Sequence, residues 1–108
     1  MKAIIFEKHG GPEVLQYGEH PEPQPPAGWV LVRLHAAALN HADIFVRVGW
    51  AGLDLKLPHI LGADGAGEVA ALGEGVTHWK VGQRVVIDAS ICMEEDEFTR
   101  SGQDNLCR

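Results

Sequence analysis

Apolar and polar residues alternate at the start of the chain in the way that a β-strand requires. Residues 1–6 alternate after an early charge and predict a first strand. A turn follows at Gly10-Gly11-Pro12, and residues 14–17 predict a second short strand. The proline-rich residues 21–28 cannot donate a full ladder of hydrogen bonds, so they are expected to run extended on the surface.

Three further strands are predicted after this proline-rich segment. Residues 29–39 are the longest candidate, beginning with a tryptophan and a β-branched valine. Residues 68–72 and 82–87 are the next two, and glycine turns bound both of them. Several short strands at close spacing predict a mainly β domain built as a small barrel or sandwich.

One short helix is predicted between these strands. Asn40 suits the N-cap, and Asp43 stands three residues later, where a carboxylate can meet the free N–H groups of a helix end. Residues 41–48 place Ile44, Phe45 and Val48 on one face, and Gly49 ends the helix. Arg47 lies one turn beyond Asp43, at the spacing of an i, i+4 ion pair.

Size and charge narrow the possible functions. The 108 residues are enough for one domain, and 45% of them are hydrophobic, as in an ordinary globular domain. The net charge of −6 disfavours nucleic acid and anionic membranes as partners. No apolar run approaches the roughly 18 residues that span a bilayer, and the N-terminus does not resemble a signal peptide. We therefore expect a cytoplasmic protein that binds neither nucleic acid nor membrane.

The glycines before residue 68 do not form a dinucleotide-binding fingerprint. Gly62, Gly65 and Gly67 precede a strand, whereas the fingerprint G-x-G-x-x-G follows a strand and opens a helix. Close backbone packing and tight turns account for glycines in this position. The chain therefore shows no phosphate-binding loop of its own.

The ordered combination of motifs is more specific than any one of them. Asn40-His41-Ala42-Asp43 is followed by Arg47 and Gly49, by Leu57-Pro58, by the run Leu61 to Val69, and by Val81-Gly82-Gln83-Arg84-Val85. With these motifs the chain resembles the N-terminal part of the medium-chain dehydrogenase/reductase family of alcohol dehydrogenases and quinone oxidoreductases. The resemblance covers essentially all of residues 1–108.

This resemblance implies a GroES-like fold, a partly open β barrel with one or two short helices, as a single domain over residues 1–108. It also implies an NAD(P)-dependent oxidoreductase that acts on a small carbonyl or quinone-like substrate once a separate nucleotide-binding domain is present. Residues 1–108 alone are expected to bind no NAD(P) and to be inactive. A homodimer is possible through Trp50, Leu53, Leu55 and Leu57, which alternatively fill the domain's own core.

The resemblance also assigns candidate site residues, and it argues against catalytic zinc. The family's zinc enzymes carry a cysteine where Asn40 stands here, and a Gly-His-Glu triplet where Ala63 and Asp64 occupy the last two places. A catalytic zinc needs three protein ligands, so the chain is closer to the zinc-free quinone oxidoreductases. Asn40 and Asp43 are the candidate catalytic residues, and His41, Arg47, Ala63 and Asp64 the candidate cleft residues.

A second metal site of the family is a structural lobe with four cysteines, which would correspond to residues 91–108. Only Cys107 stands in register, and Cys92 is one residue off, so the lobe resembles one that has lost its ligands. Cys92, Asp96 and Cys107 remain a weak alternative zinc site. The acidic residues 94–97 are expected to form a solvated loop. Two alternatives to the metal-free oxidoreductase stay open: a zinc alcohol dehydrogenase with unusual ligands, and a free-standing GroES-like binding module.

Overall fold

The structure is a computed structural model that describes residues 1–90 and 96–103. Its described residues are mainly strands with two short helices, which confirms the predicted class. The elements are β1 (Lys2–Ile5), a 3-10 turn (Pro12–Val14), β2 (Gln16–Glu19), β3 (Val30–Ala37), α1 (His41–Val48), β4 (Gly65–Leu72), β5 (Arg84–Val86) and α2 (Glu97–Arg100).

The strands form two antiparallel sheets. β1 pairs with β2, and β3, β4 and β5 form a three-stranded sheet with β4 in the centre. An isolated bridge between Phe6 and His59 ties the end of β1 to the segment before β4. Among the described residues these sheets do not close into a barrel.

Helix α1 has the predicted bounds, whereas other predictions needed correction: β2 covers Gln16–Glu19 instead of residues 14–17, β4 begins at Gly65 instead of residue 68, and β5 covers Arg84–Val86 instead of residues 82–87. Strand β3 ends at Ala37, two residues before the predicted end. Residues 94–97 were expected to form a loop; residues 94 and 95 lie outside the described residues, and Glu97 begins α2 instead. Asp96 caps that helix, because its Oδ1 accepts hydrogen bonds from the backbone N–H groups of Phe98 and Thr99 at 3.0 and 2.9 Å.

Strand β4 lies so close to its neighbours that two of its positions leave little or no room for a side chain. A Cβ on Gly67 would overlap the carbonyl oxygen of Arg33 on β3. A Cβ on Gly65 would lie 2.6 Å from a methyl carbon of Leu34. Val69, on the same strand, is 1% exposed and belongs to the core. The two glycines within β4 therefore permit close packing, as the sequence predicts, whereas Gly62 before the strand adopts a φ of +117° and a Cβ there would meet nothing within 4 Å.

The hydrophobic core of the described residues is small. Phe6, Val14 and Val69 are its buried apolar side chains. The predicted apolar face of α1 is not part of this core, because Ile44, Phe45 and Val48 are all exposed to solvent. Trp50 is also exposed, whereas Leu53, Leu55 and Leu57 are half-buried. None of the helices in the described residues is long and apolar enough to cross a membrane.

Ion pairs lie on the exposed faces of both sheets. Lys2 Nζ is 2.7 Å from Glu19 Oε1 across β1 and β2, and its hydrogen bond holds the pKa of that carboxyl below its usual range. On the second sheet, Arg33 Nη1 is 3.4 Å from Glu68 Oε1. Both pairs are largely solvated, so we expect them to contribute little to stability.

Candidate functional site

The start of α1 is held by hydrogen bonds between Asn40 and Asp43. Asn40 has extended backbone angles, and its backbone N–H donates to Asp43 Oδ2 at 2.8 Å. The backbone N–H of Asp43 donates to the Asn40 carbonyl at 3.1 Å. Asp43 is the one buried residue of the helix, at 8% exposure, and none of the described ion pairs includes it. Asn40 therefore stands at the N-cap position, as the sequence predicts, and the side chain that accepts a hydrogen bond at this helix start is the buried carboxylate of Asp43.

A second hydrogen bond joins this helix start to the segment before β4. Asn40 Nδ2 donates to Asp64 Oδ2 at 2.6 Å, across 24 residues of sequence. A carboxylate acceptor makes this a charge-assisted hydrogen bond, which is stronger than one between neutral groups. Asn40 therefore connects the two segments to which the sequence assigns candidate site residues.

A cavity of about 390 Å³ opens beside the helix. Four of the six predicted site residues line this cavity: Asn40, His41, Asp43 and Arg47. The other lining residues are apolar and come from three segments: Leu15, Leu39, Ile44 and Leu61. Asp64 contacts this group through Asn40, whereas Ala63 is exposed and is absent from the lining. An apolar cavity with a few polar groups at one side is the usual form of a small-molecule site.

The predicted ion pair between Asp43 and Arg47 was wrong. Arg47 Nε donates instead to the carbonyl oxygen of Gly10 at 3.2 Å, and no described ion pair includes Arg47. Its backbone carbonyl accepts from Gly10 N–H at 3.0 Å. The i, i+4 spacing made the pair possible, but an acceptor from the loop after β1 contacts the guanidinium instead.

The residues that contact the far end of α1 were missed by sequence reasoning. His9 belongs to none of the sequence motifs, yet its Nδ1 lies 3.0 Å from the Val46 carbonyl oxygen. This contact joins residues 37 positions apart, and no spacing rule predicts it. Folding alone brings the two segments together.

The donor groups do not fit a catalytic zinc. Within residues 1–90 and 96–103, no three His, Cys, Asp or Glu side chains converge in a way that could hold a metal ion. Asn40 directs its amide nitrogen, which is not a metal ligand, at Asp64, and Ala63 offers only a methyl group. The weak alternative site includes Asp96, but Cys92 and Cys107 lie outside the described residues.

Solved structures of oxidoreductases share this fold. An NAD-dependent alcohol dehydrogenase matches 99% of the chain with a TM-score of 0.88 and 48% identity, and the chain covers 31% of it. The Escherichia coli quinone oxidoreductase complexed with NADPH matches 84% of the chain with a TM-score of 0.72 and 38% identity, and the chain covers 29% of it. The fold is therefore that of the GroES-like domains of alcohol dehydrogenases and quinone oxidoreductases.

Sequence comparison identifies the family directly. The model of the alcohol dehydrogenase GroES-like domain matches residues 26–108, and the chain belongs to this family. A quinone oxidoreductase of Pseudomonas aeruginosa is 45% identical over 84 residues, or 78% of the chain. An alcohol dehydrogenase of Geobacillus stearothermophilus is 40% identical over 99% of the chain. The chain spans 26% and 32% of the length of these two relatives.

Proposed function

We propose that this chain forms the substrate side of the active site in a metal-free NAD(P)-dependent oxidoreductase. The substrate would be a small carbonyl, enone or quinone-like molecule. One observation carries the proposal: at the edge of an apolar cavity, Asn40 bonds to Asp64. Asn40 stands where zinc relatives are expected to carry a cysteine ligand, and Asp64 directly follows Ala63, which stands where they are expected to carry a histidine ligand. A hydrogen-bonded amide and carboxylate there favour a positioning role over metal binding.

The residues of this chain would bind and orient the substrate. Apolar side chains around the cavity would exclude water from one side, and Asn40 would present its amide group to a substrate oxygen or to the nicotinamide. Asp43, being buried, would fix the backbone of Asn40, while His41 would line the opening. A nicotinamide cofactor supplies the hydride when it is bound.

The glycines of the described residues do not form the phosphate-binding loop that is typical of dinucleotide sites. Gly62, Gly65 and Gly67 lead into β4, and a phosphate-binding glycine loop leads into a helix instead. We therefore propose that residues 1–108 form one GroES-like domain, that it binds neither NADH nor NADPH by itself, and that it is inactive alone. Calorimetric titration checks this, and a dissociation constant in the low micromolar range would contradict it.

A chimera tests the proposed function. The matching segment of the Pseudomonas aeruginosa quinone oxidoreductase would be replaced by this chain, and NADPH oxidation measured with a quinone. We expect Asn40→Ala to lower kcat/KM about 10- to 100-fold, because misplaced reactants lose that much rate. His78→Ala, at an exposed histidine, is the control. Equal activity of the two variants would exclude the proposed role of Asn40.

Metal analysis separates this proposal from the zinc alternative. We expect the purified chain to hold no zinc after dialysis against a weak chelator. The double change Asn40→Cys and Ala63→His restores a thiolate and an imidazole and should create measurable zinc affinity. One tightly bound zinc per unmodified chain would instead favour a site that includes Cys92, Asp96 and Cys107.

A further inference from the structure

Phe6 contacts both segments that lead to the candidate site. Its side chain is 0% exposed, and its backbone exchanges two hydrogen bonds with His59, at 3.1 and 3.0 Å. Its ring centroid lies 5.8 Å from that of His59, on the segment that continues to Asp64. On the other side the ring of His9 lies 5.7 Å away. Phe6 therefore stands between the segment before β4 and the loop that contacts α1.

His9 acts on the last turn of α1. Its Nδ1 is 3.0 Å from the carbonyl oxygen of Val46 and 3.2 Å from that of Arg47. Both partners are acceptors, so Nδ1 carries the proton and donates. The last carbonyls of a helix have no partner within it, and here a side chain from the N-terminal loop satisfies two of them.

Gly10 and Gly49 complete this contact. The backbone N–H of Gly10 donates to the Arg47 carbonyl at 3.0 Å, and its own carbonyl accepts from Arg47 Nε at 3.2 Å. Gly49 ends the helix with a φ of +79°, and a Cβ there would lie 2.8 Å from Cγ of His9. The histidine ring therefore packs against a position where only glycine fits.

Helix α1 is thus fixed at both ends from outside the helix. At its start Asn40 bonds to Asp64, and at its end His9 and Gly10 bond to Val46 and Arg47. We propose that His9 is a positioning residue: its Nδ1–H holds the last turn of α1, and so holds Asn40 and Asp43 at the cavity. This inference rests on the proposed function, which assigns the cavity to the substrate. Its test measures the structure of the chain and does not depend on enzymatic activity.

Two substitutions of similar size separate the hydrogen bond from the packing. His9→Asn keeps a donor close to the place of Nδ1, whereas His9→Leu has the same number and branching of side-chain heavy atoms as asparagine and no donor. His78→Leu makes the same chemical change at an exposed histidine. Val69→Ala removes core volume from β4 and lowers stability, and the described backbone hydrogen bonds of Val69 go to other strands and turns, not to α1.

The readout is the NMR spectrum and amide hydrogen exchange of the 108-residue chain. In His9→Leu we expect the Gly10 amide to exchange about tenfold faster, and the Asn40 side-chain amide to shift at the opposite end of the helix. His9→Asn should restore both signals. Val69→Ala and His78→Leu should leave the Asn40 side-chain amide in place, which separates positioning from a general loss of stability.

An Asn40 amide that stays unchanged in His9→Leu, or that shifts equally in Val69→Ala, would overturn the inference. If His9→Leu does not fold, His9→Gln takes its place in the test. The side-chain amide of glutamine lies one bond further from the backbone than that of asparagine, so it does not place a donor where Nδ1 of His9 lies. Gly10 exchange should then be at least about threefold faster than in His9→Asn, and equal rates would refute the role of His9. Failure of the chimera with these signals intact would contradict the proposed function alone.

Discussion

Strand β4 and helix α1, each eight residues long, are held in opposite ways. β4 is paired on both sides, has one of the most buried side chains, and leaves no room for a Cβ at Gly67. α1 buries only Asp43, exposes its apolar face, and is fixed by hydrogen bonds at its two ends. Close packing therefore fixes the position of β4, whereas a few hydrogen bonds fix the position of α1, the helix that carries the candidate site.

The largest effect is expected in β4. Gly67→Ala places a methyl group where the Arg33 carbonyl oxygen lies, so the β3–β4 pair must separate. We expect a loss of about 3 kcal/mol or more, at the upper end for overpacking. Urea unfolding followed by circular dichroism measures it. Gly18→Ala in β2, where a Cβ meets nothing within 4 Å, is the matched control.

The second effect concerns the start of α1. Asp43→Ala removes the acceptor of the Asn40 backbone N–H, and the loss of such a cap costs about 1–2 kcal/mol. The exposed Asp54→Ala should change stability by much less. A difference below about 0.5 kcal/mol between these variants in urea unfolding would show that end contacts do not hold the helix.

A smaller change in stability is expected on the apolar face of α1. Phe45 is 62% exposed, so Phe45→Ser should alter the free energy of unfolding by about 0.5 kcal/mol or less. We also expect the chain to self-associate through exposed apolar residues, and Phe45→Ser to weaken that association, because Phe45 and the exposed Trp50 contribute apolar surface near one another in sequence. Sedimentation over a range of concentrations measures this, and a strictly monomeric unmodified chain would contradict it.

The smallest effect is expected at the exposed ion pair of β4. Glu68→Gln removes the partner of Arg33, whose side chain is 70% exposed. Solvent screens such a pair, so we expect a change of at most about 0.5 kcal/mol. A double-mutant cycle with Arg33→Gln isolates the pair. Coupling well above about 1 kcal/mol would mean that charge, as well as close packing, stabilises β4.

Local signals were enough to predict α1 and most of the strands. Asn40 and Gly49 mark the two ends of the helix through side-chain and backbone preferences that act within a few residues. β4 begins at Gly65, before the predicted residue 68, because the glycines that suggested a turn also permit close pairing with β3. α2 was missed because a run of like charges hid the capping role of Asp96.

Only part of the candidate site could be predicted from the sequence. The resemblance brought Asn40, Asp43 and Asp64 together as candidates, and their hydrogen bonds connect them in the structure. The contact of Arg47 with Gly10 and the contact of His9 with Val46 each join residues 37 positions apart. Such contacts depend on the path of the chain between them, and no local pattern encodes that path.

The outer side of β5 has a practical consequence for handling the protein. Among the described residues β5 pairs only with β4, and Val86 at its end is 82% exposed. A free strand edge with an exposed valine is a template for pairing with other chains, and concentrated samples should therefore precipitate by edge-to-edge contact. Val86→Lys places a charge at this edge, and we expect it to raise soluble yield and storage life.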